Sequence, residues 1–243
     1  MFYETINRKY SHNYEKENRY RKILDFIREK NNPNESYSLL DVGCGLGNFL
    51  NYISNTFPNI QCFGCDISAS AIKKAANKKN IHYKVANFNF ARNMYKNNSL
   101  NFIIAGEVIE HLENTDNLIT ECKKYLKEGG YLLITTPNLV AWYERILLMF
   151  GLMPFMAEVS LKSRIFGKKI IYDIFRKKES EPVGHLRLFN PSALKELGEY
   201  HGLKFIRHMS YYKDNFILNK LISNLSRNFA QGITMIFKKK SQS

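Results

Sequence analysis

No run of about 20 consecutive apolar residues, the length a membrane-spanning helix needs, occurs in the sequence; the most apolar window, Ile146 to Val159, is shorter and is broken by Gly151 and Pro154. An apolar leader ending in a small-residue cleavage site is also missing from the opening Met1-Phe2-Tyr3-Glu4, which turns basic at Arg8 and Lys9. A secretion signal is therefore not expected, and the location expected is cytoplasmic. Cysteine is scarce: Cys44, Cys62, Cys65 and Cys122 lack the dense spacing of a disulfide framework. Cys62 and Cys65 form a C-x-x-C with no second ligand pair for zinc, so buried, reduced strand residues are expected. Acidic residues are few as well, 22 against 36 Lys and Arg, which leaves a formal charge of +14. Such a surplus suits phosphate or anionic lipid, yet lysine outnumbers arginine 25 to 11 and Asn and Ile are abundant, a bias that raises charge with no ligand involved. Only a cluster counts, and the densest runs from Lys162 to Lys178, where seven cations face one acid, Asp173.

What is present is the pattern of one α/β domain with an insertion, spanning residues 1–243. Residues 1–30 read as a leading helix with Tyr14, Tyr20, Ile23, Leu24 and Ile27 on one face and Asn31-Asn32-Pro33 as its stop. Strands are expected near 38–42, 60–65, 81–86, 101–106 and 131–136, with helices near 47–57, 69–79 and 115–127. That alternation implies a mostly parallel sheet covered on both faces. Residues 139–182 interrupt the rhythm and read as an inserted cap after the fifth strand. A helix over 191–201 and closing strands at 203–210 and 232–238 complete the pattern.

Leu39 to Gly47 ends a strand, turns through Gly43, Gly45 and Gly47, and opens a helix. Glycine there lets backbone approach a ligand where a Cβ would collide. Asp66 closes the next strand, 19 residues after Gly47, at the distance where an acid reaches ribose hydroxyls in dinucleotide-binding folds. Together these features point to an adenosine-containing ligand. A nicotinamide dinucleotide would want G-x-G-x-x-G, whereas this chain reads G-x-G-x-G followed by Asn48-Phe49.

In order and spacing, Asp41-Val42-Gly43-Cys44-Gly45-Leu46-Gly47, Gly64-Cys65-Asp66-Ile67-Ser68, Glu107-Val108-Ile109-Glu110-His111-Leu112 and the segment Leu126 to Asn138 resemble the class I S-adenosylmethionine (SAM)-dependent methyltransferases. The resemblance covers about residues 15–138 and resumes at Gly184-His185-Leu186-Arg187-Leu188-Phe189. It implies a Rossmann-like seven-stranded sheet, SAM as cofactor, and cofactor contacts at Asp41, Gly43, Cys44, Gly45, Gly47, Asp66, Ile67, Asn87, Phe88 and Glu107. In it the glycine loop lies under the methionine part, Asp66 meets the ribose and Ile67 the adenine. Where family members often carry Asp after the third strand, this chain has Asn87, whose carbonyl can accept the same bond.

Methyl transfer from a sulfonium asks a protein chiefly to align two partners and exclude water. An alcohol acceptor must also lose its proton, which calls for a base or a metal. Glu107, Glu110 and His111 stand at helical offsets that would place all three on one face if a helix begins there, and His185 can arrive from the distal segment. Glu-x-x-Glu-His with a later His resembles the metal-binding pattern of small-RNA 2′-O-methyltransferases and part of the site of ubiquinone-pathway O-methyltransferases. That resemblance implies a divalent ion on Glu107, Glu110, His111 and His185, with two imidazoles favouring Mn²⁺, Fe²⁺, Co²⁺ or Zn²⁺ over Mg²⁺. Without a metal, His111 or His185 is the expected base.

The insertion follows the carboxyl edge of the sheet, where open α/β folds bind ligands, so it should encode substrate choice. Its first half, Trp142 to Phe150, is expected to line a lid or apolar groove; its second half, about Phe166 to Lys178, reads as a basic amphipathic helix. Such a helix suits an anionic membrane surface or lipid-linked substrate, or equally packs its apolar face on the core. The wider pattern from Thr136-Pro137-Asn138 to Phe189 resembles archaeal and bacterial methyltransferases of surface-glycan and small-molecule metabolism. The activity expected is O-methylation of a small polar, glycan or lipid-linked acceptor; the alternatives are metal-assisted methylation of RNA ribose and SAM binding without turnover.

Overall fold

The computed structural model describes residues 13–76, 81–175, 181–212, 219, 221–222 and 226–241. Seven strands form one sheet: β1 (Tyr37–Val42), β2 (Ile60–Asp66), β3 (Ile81–Val85), β4 (Leu100–Gly106), β5 (Leu126–Pro137), β6 (Leu203–Tyr211) and β7 (Gly232–Lys239). Their order is β3-β2-β1-β4-β5-β7-β6. The first five run parallel, and β7 is antiparallel to both β5 and β6. The helices that accompany them include α1 (Asn18–Lys30), α2 (Asn48–Thr56), α3 (Ala69–Ala75), α4 (Thr115–Tyr125), α5 (Trp142–Met149), α6 (Lys169–Ile174) and α7 (Pro191–Tyr200).

The central strands are apolar on both faces because both are covered. Leu39, Phe102 and Ile104 pack with Ile23, Phe26, Leu50 and Ile53 of α1 and α2. One residue along each strand, Leu40, Ile103 and Ala105 turn the other way, onto Leu118, Cys122 and Leu194 of α4 and α7. The two windings of the sheet meet between β1 and β4, so the crevice beyond their carboxyl ends is the ligand position of this topology. The four cysteines are buried and unpaired, and burial pushes the Cys62 thiol up to about 12.

The leading helix is shorter than the 1–30 pattern predicts: it starts at Asn18, and residues 1–12 lie outside those described. Tyr14 is buried and Tyr20 partly so. The insertion departs further from expectation. Helix α5 forms, but the predicted basic helix over 166–178 is reduced to the six residues of α6; Arg176, Lys177 and Lys178 lie outside the described residues. Lys168, read as part of a solvated basic face, is fully buried. Its ammonium donates to the carbonyls of Pro154, Phe155 and Ala157 at 2.9–3.0 Å. The irregular backbone of residues 150–168 leaves carbonyls without helical partners, and a buried cation with three donors answers that need.

Burial, with Arg164 nearby, lowers the Lys168 pKa to about 8, and burial raises that of neighbouring Glu144 to about 7. The Lys168 cost to stability is therefore fully present below pH 8 and fades as pH rises toward 10.5, the reverse of a surface lysine gaining a partner. Lys168→Met removes three charge-assisted bonds and takes from the Ala157 carbonyl its donor, while the Pro154 and Phe155 carbonyls keep the Ala157 amide and the Arg164 guanidinium. It is therefore expected to destabilise the domain by about 2–4 kcal/mol. That corresponds to a drop of roughly 4–16 °C in Tm for a chain of this size, read by calorimetry near pH 7.5; an unchanged Tm refutes the role. Among the described residues, no helix is long and apolar enough to cross a membrane.

Candidate active site

A cleft of about 270 Å³ opens at the carboxyl ends of β1, β2 and β4. Val42, Gly43, Gly45, Asp66, Ile67, Ala86, Asn87, Phe88, Asn89, Glu107, Val108, His111 and Leu112 line it. Of the expected cofactor residues, Gly43, Gly45, Asp66, Ile67, Asn87, Phe88 and Glu107 thus meet around one cavity. Asp41, Cys44 and Gly47 are not among its lining: Asp41 and Cys44 are buried behind the loop, and Gly47 is the left-handed N-cap of α2.

The glycine turn is built for close approach. Gly43 has φ +76°, and a Cβ on it would stand 2.4 Å from Cγ2 of Val108, across the cleft's floor. The Gly43 and Cys44 amides are tied to the Cys65 carbonyl, which fixes the loop on β2. Asp66 accepts from the amides of Gly45 (2.8 Å) and Ser68 (2.9 Å). Each of its carboxylate oxygens keeps a lone pair for a further donor. Asn87 accepts from the Asn89 amide at 3.0 Å and its carbonyl likewise retains a lone pair. Ile67 is 42% exposed and offers an apolar wall beside Asp66. An acid with spare lone pairs at Asp66, an apolar wall at Ile67 and an acceptor at Asn87 around one cleft have the chemistry to receive an adenosine.

Burial pushes the Asp41 carboxyl up to about 7, with Arg19 pulling it down and Asp66 pushing it up. Arg19, from the first turn of α1, lies 3.8 Å from Glu107, whose Oε1 also accepts from the hydroxyls of Tyr211 (2.5 Å) and Thr135 (3.2 Å). Burial is the largest influence on Arg19 and opposes its charge, but Glu107, Tyr20 and Tyr211 together outweigh it and the guanidinium pKa rises. The Tyr211 hydroxyl is raised well above its usual range by burial and by Glu107. This hub ties α1, β5 and β6 to the edge of the cleft.

The hub also corrects the predicted set on one helix face. Glu107 has φ +57° and the next turn is a 3₁₀ segment, Ile109–His111, not the start of an α-helix. Glu107 therefore turns toward Arg19, Thr135 and Tyr211, and a separate group forms from Glu110, His111 and His185. One ligand atom from each of these three lies within 4.8 Å of the others. Glu110 is buried and accepts from the Thr136 hydroxyl at 3.0 Å. His185 reaches the group because the Glu110 carbonyl accepts the amides of Leu186 and Arg187, docking residues 183–187 on the 3₁₀ turn.

Both imidazoles are held by Nδ1, His111 at 2.9 Å from the Gly184 carbonyl and His185 at 3.0 Å from that of Met156. A carbonyl only accepts, so each Nδ1 donates its proton to it, and Nε2 of His111 faces the Glu110 carboxylate, 3.9 Å from Oε1. Burial, the largest influence, lowers the His185 pKa and favours its neutral form. The ring centroids are 5.2 Å apart. Glu158 positions this segment by accepting from the amides of Val183, Gly184 and His185 at 2.8–3.2 Å while paired with Arg164 at 2.9 Å. Arg19, Thr135, Tyr211 and Glu158 have no signature in local spacing, since each acts through a partner far along the chain.

Residues 10–208 match the family model of a methyltransferase domain. The ubiquinone biosynthesis O-methyltransferase of Pelagibacter ubique is 34% identical over 48% of this chain and 49% of its own length. Malonyl-[acyl-carrier protein] O-methyltransferase 2 of Ilyobacter polytropus is 28% identical over 45% of this chain and 43% of its own. The chain thus spans about half the length of these curated relatives. In fold, it is similar to phosphoethanolamine N-methyltransferase 2 of Haemonchus contortus, solved with SAM, at a TM-score of 0.60, 16% identity, and coverage of 91% of this chain and 53% of that one. With the family model spanning most of the sequence and the sheet order, glycine cradle and acidic strand end all in place, the chain belongs to the class I SAM-dependent methyltransferases.

Proposed function

We propose that the chain methylates an oxygen atom of a small polar, glycan or lipid-linked acceptor, with SAM in the cleft between β1 and β4. The observation that carries this reading is the pair of imidazoles, each bonded through Nδ1 to a backbone carbonyl, with His111 lining the cofactor cleft. Bound there, SAM supplies a methyl group on a positively charged sulfur. Asp66 and Asn87 orient the adenosine through their remaining lone pairs, and the loop from Gly43 to Gly47 admits the rest. Nε2 of His111 or His185 takes the acceptor's proton as the new C–O bond forms and the methyl C–S bond breaks to leave S-adenosylhomocysteine. Taking that proton is the one chemical service an alcohol requires beyond alignment. Both curated relatives named above carry O-methyltransferase in their names, which supports an oxygen acceptor, while phosphoethanolamine N-methyltransferases match at 24–30% identity, so the choice of oxygen rests on the imidazole pair.

A second reading is favoured by the clustering of Glu110, His111 and His185, two nitrogens and one carboxylate, which is a donor set for a first-row divalent ion. These three residues would hold it, and it would lower the pKa of an acceptor hydroxyl, the chemistry that RNA ribose methylation would also use. Glu107, engaged with Arg19, Thr135 and Tyr211, is not part of that set.

The test is formation of S-adenosylhomocysteine with phenolic, sugar, acyl and RNA acceptors, before and after exhaustive chelation. Turnover on a hydroxyl acceptor that survives chelation is expected for a histidine base. Loss on chelation and recovery with Mn²⁺ or Zn²⁺ supports the metal. Tight S-adenosylhomocysteine binding with no turnover on any hydroxyl acceptor overturns the assignment in favour of a non-catalytic SAM-binding protein.

A further inference from the structure

Ten of the 17 large apolar side chains exposed among the described residues fall between Ile146 and Phe175, in the insertion that adjoins the active site. Several are nearly bare: Met149 is 82% exposed, Leu161 78% and Phe150 75%. Scattered apolar residues on a surface need no explanation, but a concentration of this kind marks a contact. The two halves of the insertion are laced into one body. The Met153 amide donates to the Gly167 carbonyl at 2.9 Å, and Lys168 binds the carbonyls of Pro154, Phe155 and Ala157. This brings the loop with Phe166, and α6 behind it, against the segment that follows Met149 and Phe150. On α6, Tyr172 is buried while Ile170 and Ile174, four apart, are exposed.

The exposed charge of this body is mostly positive. Glu144 is buried on the Phe155 amide, and Glu158 is nearly buried on three amides and Arg164. Between Trp142 and Phe175, Arg145, Lys162 and Lys169 are exposed against Asp173 as the one exposed acid, and Glu181, near the end of the insertion, is exposed as well. The chain then continues from exposed Phe175 into Arg176-Lys177-Lys178. Glu144 and Glu158 face inward, where Lys168 and Arg164 are also used. From Trp142 to Phe175 the cations left exposed outnumber the exposed acid and share that segment with bare apolar side chains, a combination that suits a surface both apolar and anionic. A second copy of this +14 chain answers the apolar half but not the charge.

We propose that this insertion is a docking surface for an anionic lipid bilayer, with Met149, Phe150, Leu161, Phe166 and Ile170 entering the interface and Lys162 and Lys169 meeting the headgroups. The inference goes beyond the proposed function and does not depend on it. Its consequence for that function is positional. The Met156 carbonyl and the Glu158 carboxylate, both in the insertion, hold His185, so the docked face is one short segment away from the acceptor side of the cleft. An amphiphilic acceptor then reaches the site from the bilayer rather than from water.

Cosedimentation with vesicles of equal parts phosphatidylcholine and phosphatidylglycerol, at low salt, tests it. The protein is expected to pellet with these vesicles, to bind pure phosphatidylcholine far less, and to release as salt rises. The double variant Met149→Ser/Phe150→Ser and the charge reversal Lys162→Glu/Lys169→Glu are each expected to weaken partitioning on the order of tenfold or more. All four positions are exposed, and unchanged affinity for S-adenosylhomocysteine certifies the fold of each variant. No pelleting of the unmodified protein at low salt overturns the proposal, as does equal binding by both variants. A stable dimer that Met149→Ser/Phe150→Ser splits also overturns it, naming a second copy as the occupant. Failure of the unmodified protein to bind S-adenosylhomocysteine would count against the cofactor site and leave the vesicle result standing.

Discussion

His111→Ala and His185→Ala are each expected to lower kcat for a hydroxyl acceptor by about 10²–10⁴-fold, the range of a positioned general base, while affinity for S-adenosylhomocysteine changes only a fewfold. The asymmetry follows from where the rings are held. Their Nδ1 atoms are committed to the carbonyls of Gly184 and Met156, so the atom alanine takes from the acceptor side is Nε2, which matters once a proton has to leave. His185 is expected to show the cleaner kinetic effect, because it is outside the lining of the cofactor cleft whereas His111 is within it. If one imidazole is the base and the other only packs beside it, one variant falls in this range and the other by less than about tenfold. Comparable losses in both, not deepened in the double variant, indicate that the two act as a unit.

The same pair separates acceptor classes. A thiol near its pKa is already partly ionised, so a thiol acceptor needs little help and both variants would turn over at nearly the unmodified rate. A loss under tenfold for every hydroxyl acceptor sinks the base assignment outright. Glu158→Gln provides a positioning control. It weakens the three-amide clamp on Val183, Gly184 and His185 without touching either imidazole, so its signature is an intermediate loss of kcat with little change in KM for SAM.

The frame of the molecule was readable from the chain because its signals are local. Alternating β and α patterns, two-faced apolar strands such as Leu39 and Leu40, and glycines at Gly43, Gly45 and Gly47 all report on neighbours within a few residues. The meeting of Asp66, Asn87 and the glycine loop followed from the sheet order. The arrangement around Glu107 did not. An offset of three and four places residues together only if the backbone is α-helical, and Glu107 instead sits at φ +57° before a 3₁₀ turn. What holds it there is Arg19, 88 positions earlier, and Tyr211, 104 positions later, contacts that no window of sequence contains. Lys168 was misread for a related reason. A lysine among lysines looks solvated, and only the folded path of residues 154–157 supplies the three carbonyls that bury it. The exposed apolar side chains of the insertion are the reverse case, where a core-like composition faces outward.

Gly43→Ala is expected to reduce affinity for SAM and S-adenosylhomocysteine by about 10–10³-fold, measured by calorimetry on folded protein. Two costs add. A side chain at φ +76° carries about 1–2 kcal/mol of left-handed strain. The new Cβ, 2.4 Å from Cγ2 of Val108, must also displace a residue of the cleft floor, and overpacking of that kind costs typically about 1–3 kcal/mol. The loop can relieve the clash only by moving toward the cavity, where the cofactor's own atoms would lie. Two comparisons keep the cause visible. Gly151→Ala has nearly the same backbone conformation, φ +69°, but nothing within 4 Å of its Cβ and no place in the cleft; it is expected to cost about 1–2 kcal/mol of stability and no cofactor affinity. Adding Val108→Ala to Gly43→Ala removes the collision and leaves the strain, so it is expected to restore part of the lost affinity but not all. Undiminished binding by Gly43→Ala alone would mean that the glycine turn is not where the cofactor lies, and the assignment of the cleft would fall with it.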